Sequence, residues 1–398
     1  MDNTRVITYI KEGVLADALL TDGRLSELSL SPSDTRPLLG NIYVGRVKNI
    51  VKNIRAAFVE IEDGMLCYLP LEDAKAPIFT KPKKTERLAV GDELLVQVSR
   101  EAQKTKAPSA TTQLSLSGKY LVLNLGKPGV GCSAKLSAEE RQRLKGLAER
   151  FPLPEGCGLI VRTNAEGMQE AELHAEFDKL LAKQNFLTWQ AIHRAVFSCV
   201  YRERPAYLNA ILGNRSGTLK EIITDDESIF QEIQDFLREE MPEEKGKLRL
   251  YEERMQPLKS LYRLEKGLSD ALSPRVWLKS GAYLIIEHTE AMTVIDVNTG
   301  KCITGKDKRE TVRKINLEAA AEISRQLRLR NLSGMILVDF VDMDGDGPHE
   351  LLSFMRERLR DDPMKATAVD MTQLGLMELT RRKKKKPLRE QAKECGLL

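Results

Sequence analysis

Residues 281–343 read GAYLIIEHTEAMTVIDVNTGKCITGKDKRETVRKINLEAAAEISRQLRLRNLSGMILVDFVDM, and they contain two apolar runs of strand character. The first, LIIE…MTVIDV, reaches Asp296, with Asn298 two residues further on, and the second, MILVDFV, reaches Asp339. Chemistry in α/β sheets gathers where strands end, and residues two apart point to the same side of a strand. Because residues 297–338 suffice for a loop, a helix and a return strand, we predict that the two carboxylates lie side by side.

The segment between the two runs has the pattern of an amphipathic helix. Apolar residues recur in steps of three and four, which gives one buried face made of Val312, Ile315, Ala319, Ile323 and Leu327. Two adjacent carboxylates repel each other unless a cation or a proton lies between them, and oxygen ligands with an amide nearby suit Mg²⁺. Alternatively, each Asp only caps the turn that follows its strand, and spacing alone leaves both interpretations open.

The amino-acid sequence of this stretch resembles the catalytic region of the ribonuclease E/G family, which are bacterial endoribonucleases that cut single-stranded RNA. The segments that carry the resemblance are TEAMTVIDVNTG and NLEAAAEISRQLRLRNLSGMILVDFVDM, with His349 after them. The resemblance implies that Asp296 and Asp339 hold a catalytic Mg²⁺ and that Asn298 supports the site. Asp342 falls on the second Asp of the family's DFxDM pattern and is expected to stand behind the metal ligands or to be structural.

The length and composition fit a multidomain globular protein. A chain of 398 residues predicts two to four domains, and a net charge of only +4 means that any RNA binding must come from local basic clusters. No stretch reaches the roughly 18 uninterrupted apolar residues of a membrane span. The N-terminus lacks the basic segment followed by an apolar segment that is typical of a secretory signal. Six cysteines occur without a CxxC pair, which is typical of reduced thiols in a cytoplasmic protein.

Residues 37–118 have the short strands, frequent glycines and alternating charges of a small barrel, similar to an OB-fold RNA-binding domain. VGRVKNI is expected to be its first strand and AAFVEI its third. Phe58 and Tyr68 are placed to stack bases, although Phe58 is equally suited to the barrel core. Candidate phosphate contacts are Lys48, Lys52, Arg55 and Lys106, of which Lys106 matches a family lysine.

Residues 119–207 contain a strand YLVL, a helix with a capping box from Ser137 to Glu140, and a strand GLIVRT. Arg162 supplies a bidentate fork and Thr163 a hydroxyl, which together with backbone N–H groups suit a terminal phosphate. Without the family, IVRT is an ordinary strand end. In the resembled family this region senses the RNA 5′-monophosphate, and its pocket positions fall on Gly118, Val122, Arg162 and Thr163.

The remaining segments are predicted to form a scaffold and the catalytic subdomain. Residues 1–36, with two strands, are too short to bury a core and should be completed by residues 208–271, which we expect to contain a strand at LNAILGN and a helix beginning near Leu219. The resemblance implies a ribonuclease H-like scaffold here, with the barrel and sensor inserted, and a DNase I-like α/β subdomain at 272–398. A final helix is expected to carry the basic run RRKKKK at 381–386, either solvated or in contact with RNA.

Family members usually continue with a CPxC motif that binds zinc between two protomers. Of this motif only Cys395 is present, so the sequence leaves open whether zinc is bound and whether the protein forms a homodimer. The prediction is therefore an α/β multidomain, Mg²⁺-dependent endoribonuclease that cuts single-stranded RNA, is stimulated by a 5′-monophosphate, and leaves 5′-phosphate and 3′-hydroxyl ends. The alternatives are a non-catalytic single-stranded RNA-binding protein, or a phosphodiesterase that acts on DNA.

Overall fold

The computed structural model describes residues 2–33, 38–102, 106–214, 219–253, 255–289, 291–300, 308–360 and 362–398. The chain divides into two compact units, one formed by Met1–Thr35 with Gly217–Leu398 and the other by Arg36–Ser216. Both units mix helices with sheets, so the α/β class is confirmed. The finer division into five segments stays a prediction.

The strands are, in chain order, β1 (Asn3–Lys11), β2 (Val14–Thr21), β3 (Arg24–Pro32), β4 (Ile42–Val51), β5 (Ala56–Glu60), β6 (Leu66–Pro70), β7 (Glu93–Arg100), β8 (Ser109–Thr111), β9 (Ser115–Ser117), β10 (Leu121–Leu125), β11 (Gly129–Cys132), β12 (Cys157–Val161), β13 (Cys199–Tyr201), β14 (Leu219–Thr224), β15 (Leu248–Leu250), β16 (Arg275–Trp277), β17 (Tyr283–His288), β18 (Met292–Asn298), β19 (Gly334–Asp339), β20 (Ala366–Met371) and β21 (Leu376–Arg381). The α-helices are α1 (Ala138–Ala148), α2 (Glu170–Trp189), α3 (Ala206–Gly213), α4 (Glu227–Glu240), α5 (Leu258–Leu261), α6 (Leu264–Leu272), α7 (Lys308–Leu329), α8 (Gly347–Leu359) and α9 (Leu388–Glu394).

In the first unit, the N-terminal strands join a five-stranded sheet in the order β15-β14-β1-β2-β3. The N-terminal segment forms three strands rather than the predicted two, because the turns at Gly13 and Gly23 both reverse the chain within it. β1 runs parallel to β14, so residues from much later in the chain complete the sheet. The predicted helix near Leu219 is wrong, since β14 begins there, and the predicted strand at LNAILGN is wrong, since α3 covers it.

The second sheet of this unit has the order β16-β17-β18-β19-β21-β20. Its buried side chains, such as Ile295 and Val338, pack in one core with residues of α7 and α8. All five apolar positions predicted for the α7 stripe are buried, which confirms the amphipathic helix. Side chains that alternate with the core residues point to the opposite face, where Val294 and Met335 are exposed.

In the second unit, β4, β5, β6, β8 and β7 form a barrel that the pairing of β4 with β7 closes, and β13 extends β4. This five-stranded closed barrel is consistent with an OB-like fold. AAFVE forms β5, the second strand of the barrel and not the third. Gly45 allows the closure, because a Cβ there would lie 2.6 Å from Val59 Cγ1.

A four-stranded sheet of order β11-β12-β10-β9 follows the barrel in the same unit. Leu144 of α1 and Phe177 of α2 share a buried core with its strands. Ser137 caps α1 as predicted, since its Oγ accepts from Glu140 N at 3.2 Å. The Glu140 carboxylate instead accepts from Arg143 and from the N–H of Gly167, so only half of the predicted capping box forms.

No described helix combines the length and the apolar character that a membrane crossing requires. Five cysteines fall in the described ranges, and all five are free thiols.

Candidate active site

Asp296 and Asp339 lie side by side at the ends of the parallel strands β18 and β19. They are direct register partners, while the preceding partners, Ile295 and Val338, are buried. Because side chains alternate along a strand, both carboxylates point to the exposed face. Neighbouring strands are about 4.8 Å apart, so a single small cation can reach both carboxylates. The predicted juxtaposition of the two residues is present.

Two asparagines hold the strand ends. Asn298 lies on the same face as Asp296, and its Nδ2 donates to Asp296 Oδ2. Asn316, fully buried on α7, donates from Nδ2 to Val341 O at 2.7 Å and accepts from Val341 N at 3.2 Å. The second amide therefore anchors the chain just after Asp339. Sequence reasoning missed Asn316, although a polar residue beside a buried helical stripe was the available signal.

The donor set at this edge fits a hard divalent cation. It consists of two carboxylates and one amide, and such an ion keeps several waters and takes substrate phosphate oxygens as further ligands. Across the described ranges, no three His, Cys, Asp or Glu side chains come together as a metal centre. Among the acidic groups of the described ranges, a cation here would rest on this pair. Asp342 is exposed, and its Oδ1 lies 4.0 Å from where a Cβ on Gly375 would stand.

Phe58 and Tyr68 form a cross-strand aromatic pair on the outside of the barrel. They are register partners on β5 and β6, with ring centroids 6.0 Å apart and planes at 70°. Both rings are partly exposed, whereas Ala57 and Val59 on either side of Phe58 are fully buried. Phe58 thus lies outside the barrel core, and its edge-to-face contact leaves aromatic surface for a base.

The basic residues near this aromatic pair differ in their surroundings. Lys106 is exposed, and the segment that follows it runs beside β6, where Tyr68 N donates to Pro108 O at 2.8 Å. Lys48 forms an ion pair with Glu60 at 3.0 Å. Exposed positions on the turn after β4 carry the other two predicted contacts, Lys52 and Arg55.

The four predicted sensor residues lie around one sheet: Gly118 before β10, Val122 on β10, and Arg162 and Thr163 directly after β12. Arg162 Nη1 donates to Gly118 O, and its backbone N–H donates to Tyr120 O at 2.7 Å. The hydroxyls of Thr163 and Ser133 are 2.9 Å apart. Burial lowers the pKa of Arg162, which the charge of Glu176 partly offsets, and a guanidinium stays charged near neutral pH.

Glu176 is a part of this region that sequence reasoning assigned to a purely structural helix. Its carboxylate accepts from the backbone N–H groups of Lys119, Tyr120 and Leu121 at 2.6–2.8 Å. A Cβ on Gly118 would lie 2.5–2.7 Å from the same carboxyl group, so only glycine fits there. The available sequence signal was an acidic residue three positions after Leu173 and directly before Phe177, both of which lie on the buried face of α2. These three N–H groups already bind an anion, the Glu176 carboxylate, and are not free to bind a phosphate.

The basic run at 381–386 does not form a helix. Arg381 ends β21, is buried, and pairs with Asp362 at 2.9 Å, while Lys386 pairs with Glu394 at 2.7 Å. The run is therefore partly internal, because the strand pairs with β19 and brings Arg381 into the core. Cys395, just after α9, packs partly buried against the core of the N-terminal sheet, and burial raises the pKa of its thiol.

A closed OB-like barrel and a carboxylate pair suited to a divalent cation are the features expected of a metal-assisted nuclease. The model of the ribonuclease E/G family matches residues 115–384. Ribonuclease G of Haemophilus influenzae is 36% identical over 403 residues, which cover 98% of this chain and 81% of that protein. Ribonuclease G of Escherichia coli K12 is 33% identical over 92% of this chain and 77% of its own length, and ribonuclease E of a Nostoc species is 36% identical over 92% and 54%. The chain belongs to the ribonuclease E/G family.

Proposed function

We propose that this chain, an endoribonuclease of the ribonuclease E/G family, cuts single-stranded RNA by Mg²⁺-assisted hydrolysis and is stimulated by a 5′-monophosphate. The observation that carries the proposal is the direct register pairing of Asp296 with Asp339 on an exposed sheet face, with Asn298 bonded to Asp296. Oxygen ligands of this kind and number favour Mg²⁺ over softer metals.

A different asparagine positions each residue of the acidic pair. Asp296 is oriented by Asn298, and Asp339 is held by the backbone anchor that Asn316 provides two residues later. The Asp296 carboxylate and the backbone just after Asp339 are thus held before substrate arrives, and such preorganisation favours electrostatic stabilisation of developing charge. Asp296 and Asp339 would hold the Mg²⁺, which would supply polarisation of the phosphate and a lower pKa for an attacking water. Attack by water, and not by the neighbouring 2′-hydroxyl, leaves 5′-phosphate and 3′-hydroxyl ends.

Single-stranded RNA is the expected substrate because the barrel offers aromatic surface. Phe58 and Tyr68 need unpaired, splayed bases in order to stack. Exposed Lys106 and the basic turn after β4 are expected to meet the backbone phosphates.

The free thiols are compatible with the expected cytoplasmic location.

A 5′-monophosphate preference is supported by the surroundings of Arg162. Its bond to Gly118 O holds the guanidinium in place, and a half-buried cation favours a compact anion beside it. Thr163 can add a hydroxyl bond to the same phosphate. A 5′-hydroxyl end offers no charge to this pocket, so RNA with that end should be cut more slowly.

The test is incubation of purified protein with a 5′-monophosphorylated single-stranded oligoribonucleotide, with and without Mg²⁺, followed by end-group analysis. New 5′-phosphate ends that appear only with Mg²⁺ are expected, and a matched oligodeoxyribonucleotide should compete poorly. Binding without cleavage in Mg²⁺ would instead make the protein a non-catalytic RNA-binding protein. Products with 2′,3′-cyclic phosphate ends would refute attack by water.

A further inference from the structure

The sheet that carries the acidic pair presents a second aromatic surface, formed by Trp277 and Tyr283. Trp277 lies on the edge strand β16 and is 63% exposed. Its ring centroid is 5.1 Å from that of Tyr283, and the two planes meet at 58°. The guanidinium of Arg275 lies 4.8 Å from the Tyr283 ring centroid and 5.7 Å from that of Trp277. We call these three side chains the edge platform.

The sheet register puts the edge platform beside the acidic pair. One row of partners across the sheet runs Arg275, Ile285, Asp296, Asp339, and the adjacent row runs Trp277, Tyr283, Asn298. Directly paired residues share a face, so the platform and the carboxylates lie on the same exposed side. The Tyr283 ring also approaches the turn after Asn298, since its Cε1 is 4.0 Å from where a Cβ on Gly300 would stand.

The charges on this face favour one path for a polyanion. On the other side of the acidic row, the exposed face carries Glu287 and Glu378, which are partners of Val294 and Leu337. These glutamates repel phosphates, whereas Arg275 attracts them. A phosphate backbone beside the acidic row is therefore more favourable on the Asn298 side, where Trp277 and Tyr283 lie, than on the Glu287 side.

We propose that the edge platform binds a nucleobase of the RNA substrate next to the cleaved bond, with Arg275 meeting the adjoining phosphate. β16 is two strands from β18, about 10 Å, which corresponds to three stacked nucleotides or fewer. A tryptophan face stacks every base, so the contact sets the position of the cut strand without reading its sequence. This inference rests on the proposed cleavage at Asp296 and Asp339, and it adds a substrate contact apart from the barrel.

Intrinsic fluorescence tests the contact without cleavage. The chain has two tryptophans, Trp189 and Trp277. In Trp189→Phe, Trp277 is the sole reporter, and we expect a single-stranded oligoribonucleotide in EDTA to quench it. In the matched variant Trp277→Phe, the exposed Trp189 reports and should stay unquenched. RNA binding detected by filter retention without quenching of Trp277 would overturn the platform, and absence of any RNA binding would overturn both proposals.

Cleavage of substrates that lack one base locates the contact. Wild-type protein should slow about 5- to 150-fold when one nucleotide near the cut is made abasic, the worth of one base–aromatic stack. Trp277→Ala should slow on the intact RNA by a similar factor and lose its response to that abasic position, while Trp277→Phe should recover most of the rate. If Trp277 only braces the sheet edge, Trp277→Ala will lower the Tm and keep the wild-type response at every position, which would refute the proposal. Quenching without Mg²⁺-dependent cleavage would refute the cleavage proposal alone.

Discussion

Conversion of Asp339 to Asn separates catalysis from folding most sharply. Asp339 is exposed and pairs in register with Asp296, so the two charges repel across about 4.8 Å. In water this repulsion is roughly 1 kcal/mol, since two unit charges interact by 332/(εr). Removal of one charge should therefore leave the Tm of the metal-free protein unchanged or slightly higher. It also removes one of the two anionic ligands proposed for Mg²⁺.

Cleavage by Asp339→Asn should fall by roughly 10² or more, the usual loss when one preorganised electrostatic partner is removed. The Mg²⁺ concentration at half-maximal rate should rise, while RNA affinity in EDTA stays at the wild-type value. The assay is single-turnover cleavage of a labelled oligoribonucleotide across a Mg²⁺ titration, with thermal unfolding measured in parallel.

Glu378→Gln is the matched control for this experiment. Glu378 is exposed on the same face of the neighbouring strand β21, and its register partner is Leu337, two residues before Asp339. The control removes the same charge without removing a proposed ligand, so its rate should stay near wild type. Near-normal turnover in Asp339→Asn, or an equal loss in Glu378→Gln, would refute the assignment of the pair.

Three further predictions concern the second unit. Phe58→Ala should weaken RNA binding by about 1–3 kcal/mol at little change in Tm, and unchanged affinity in titrations of the folded variant would remove its stacking role. Arg162→Ala should reduce the rate advantage of 5′-monophosphorylated over 5′-hydroxyl RNA, only partly restored by lysine, and an equal loss on both substrates would make Arg162 structural. Hydrogen bonds from Arg143, then from Gly167 N–H, lower the pKa of Glu140 from 4.5 to about 2. Its stabilisation is complete above pH 4.5 and is lost as the pH falls towards 2, so Glu140→Gln should cost about 1–3 kcal/mol at pH 7 and progressively less in acid. A constant difference in denaturant unfolding across that range would contradict this.

Local patterns in the sequence determined the centre of the catalytic sheet. The runs that become β18 and β19 alternate buried with exposed residues, and the stripe on α7 repeats every three or four positions, so each element's inner face is fixed by periodicity. The placement of Asp296 beside Asp339 follows from these faces together with the length of the connection between them. The amino-acid sequence of the same stretch also indicated the ribonuclease E/G family.

Sequence patterns gave the wrong secondary structure where a short apolar segment suits a helix and a strand equally well. LNAILGN lies mostly in α3. The residues from Leu219 form β14, because pairing with β1 stabilises an extended chain there more than local propensity opposes it. Arg381 appeared to belong to a solvated basic run until the pairing of β21 with β19 brought it to Asp362 inside the core. A charge run shows no sign of which of its members a distant carboxylate will bury.

The tertiary structure alone decided the contacts that position the candidate sites. Asn316 reaches Val341 only because α7 packs across the sheet, and Glu176 reaches the N–H groups of residues 119–121 only because α2 packs against β10. Tyr283 pairs with Trp277 on one side and with Asn298 on the other through the register of β16, β17 and β18. Sequence determines which side chains a strand or helix can present, because periodicity is local. Partners that are distant along the chain depend on packing and register, which only the complete fold sets.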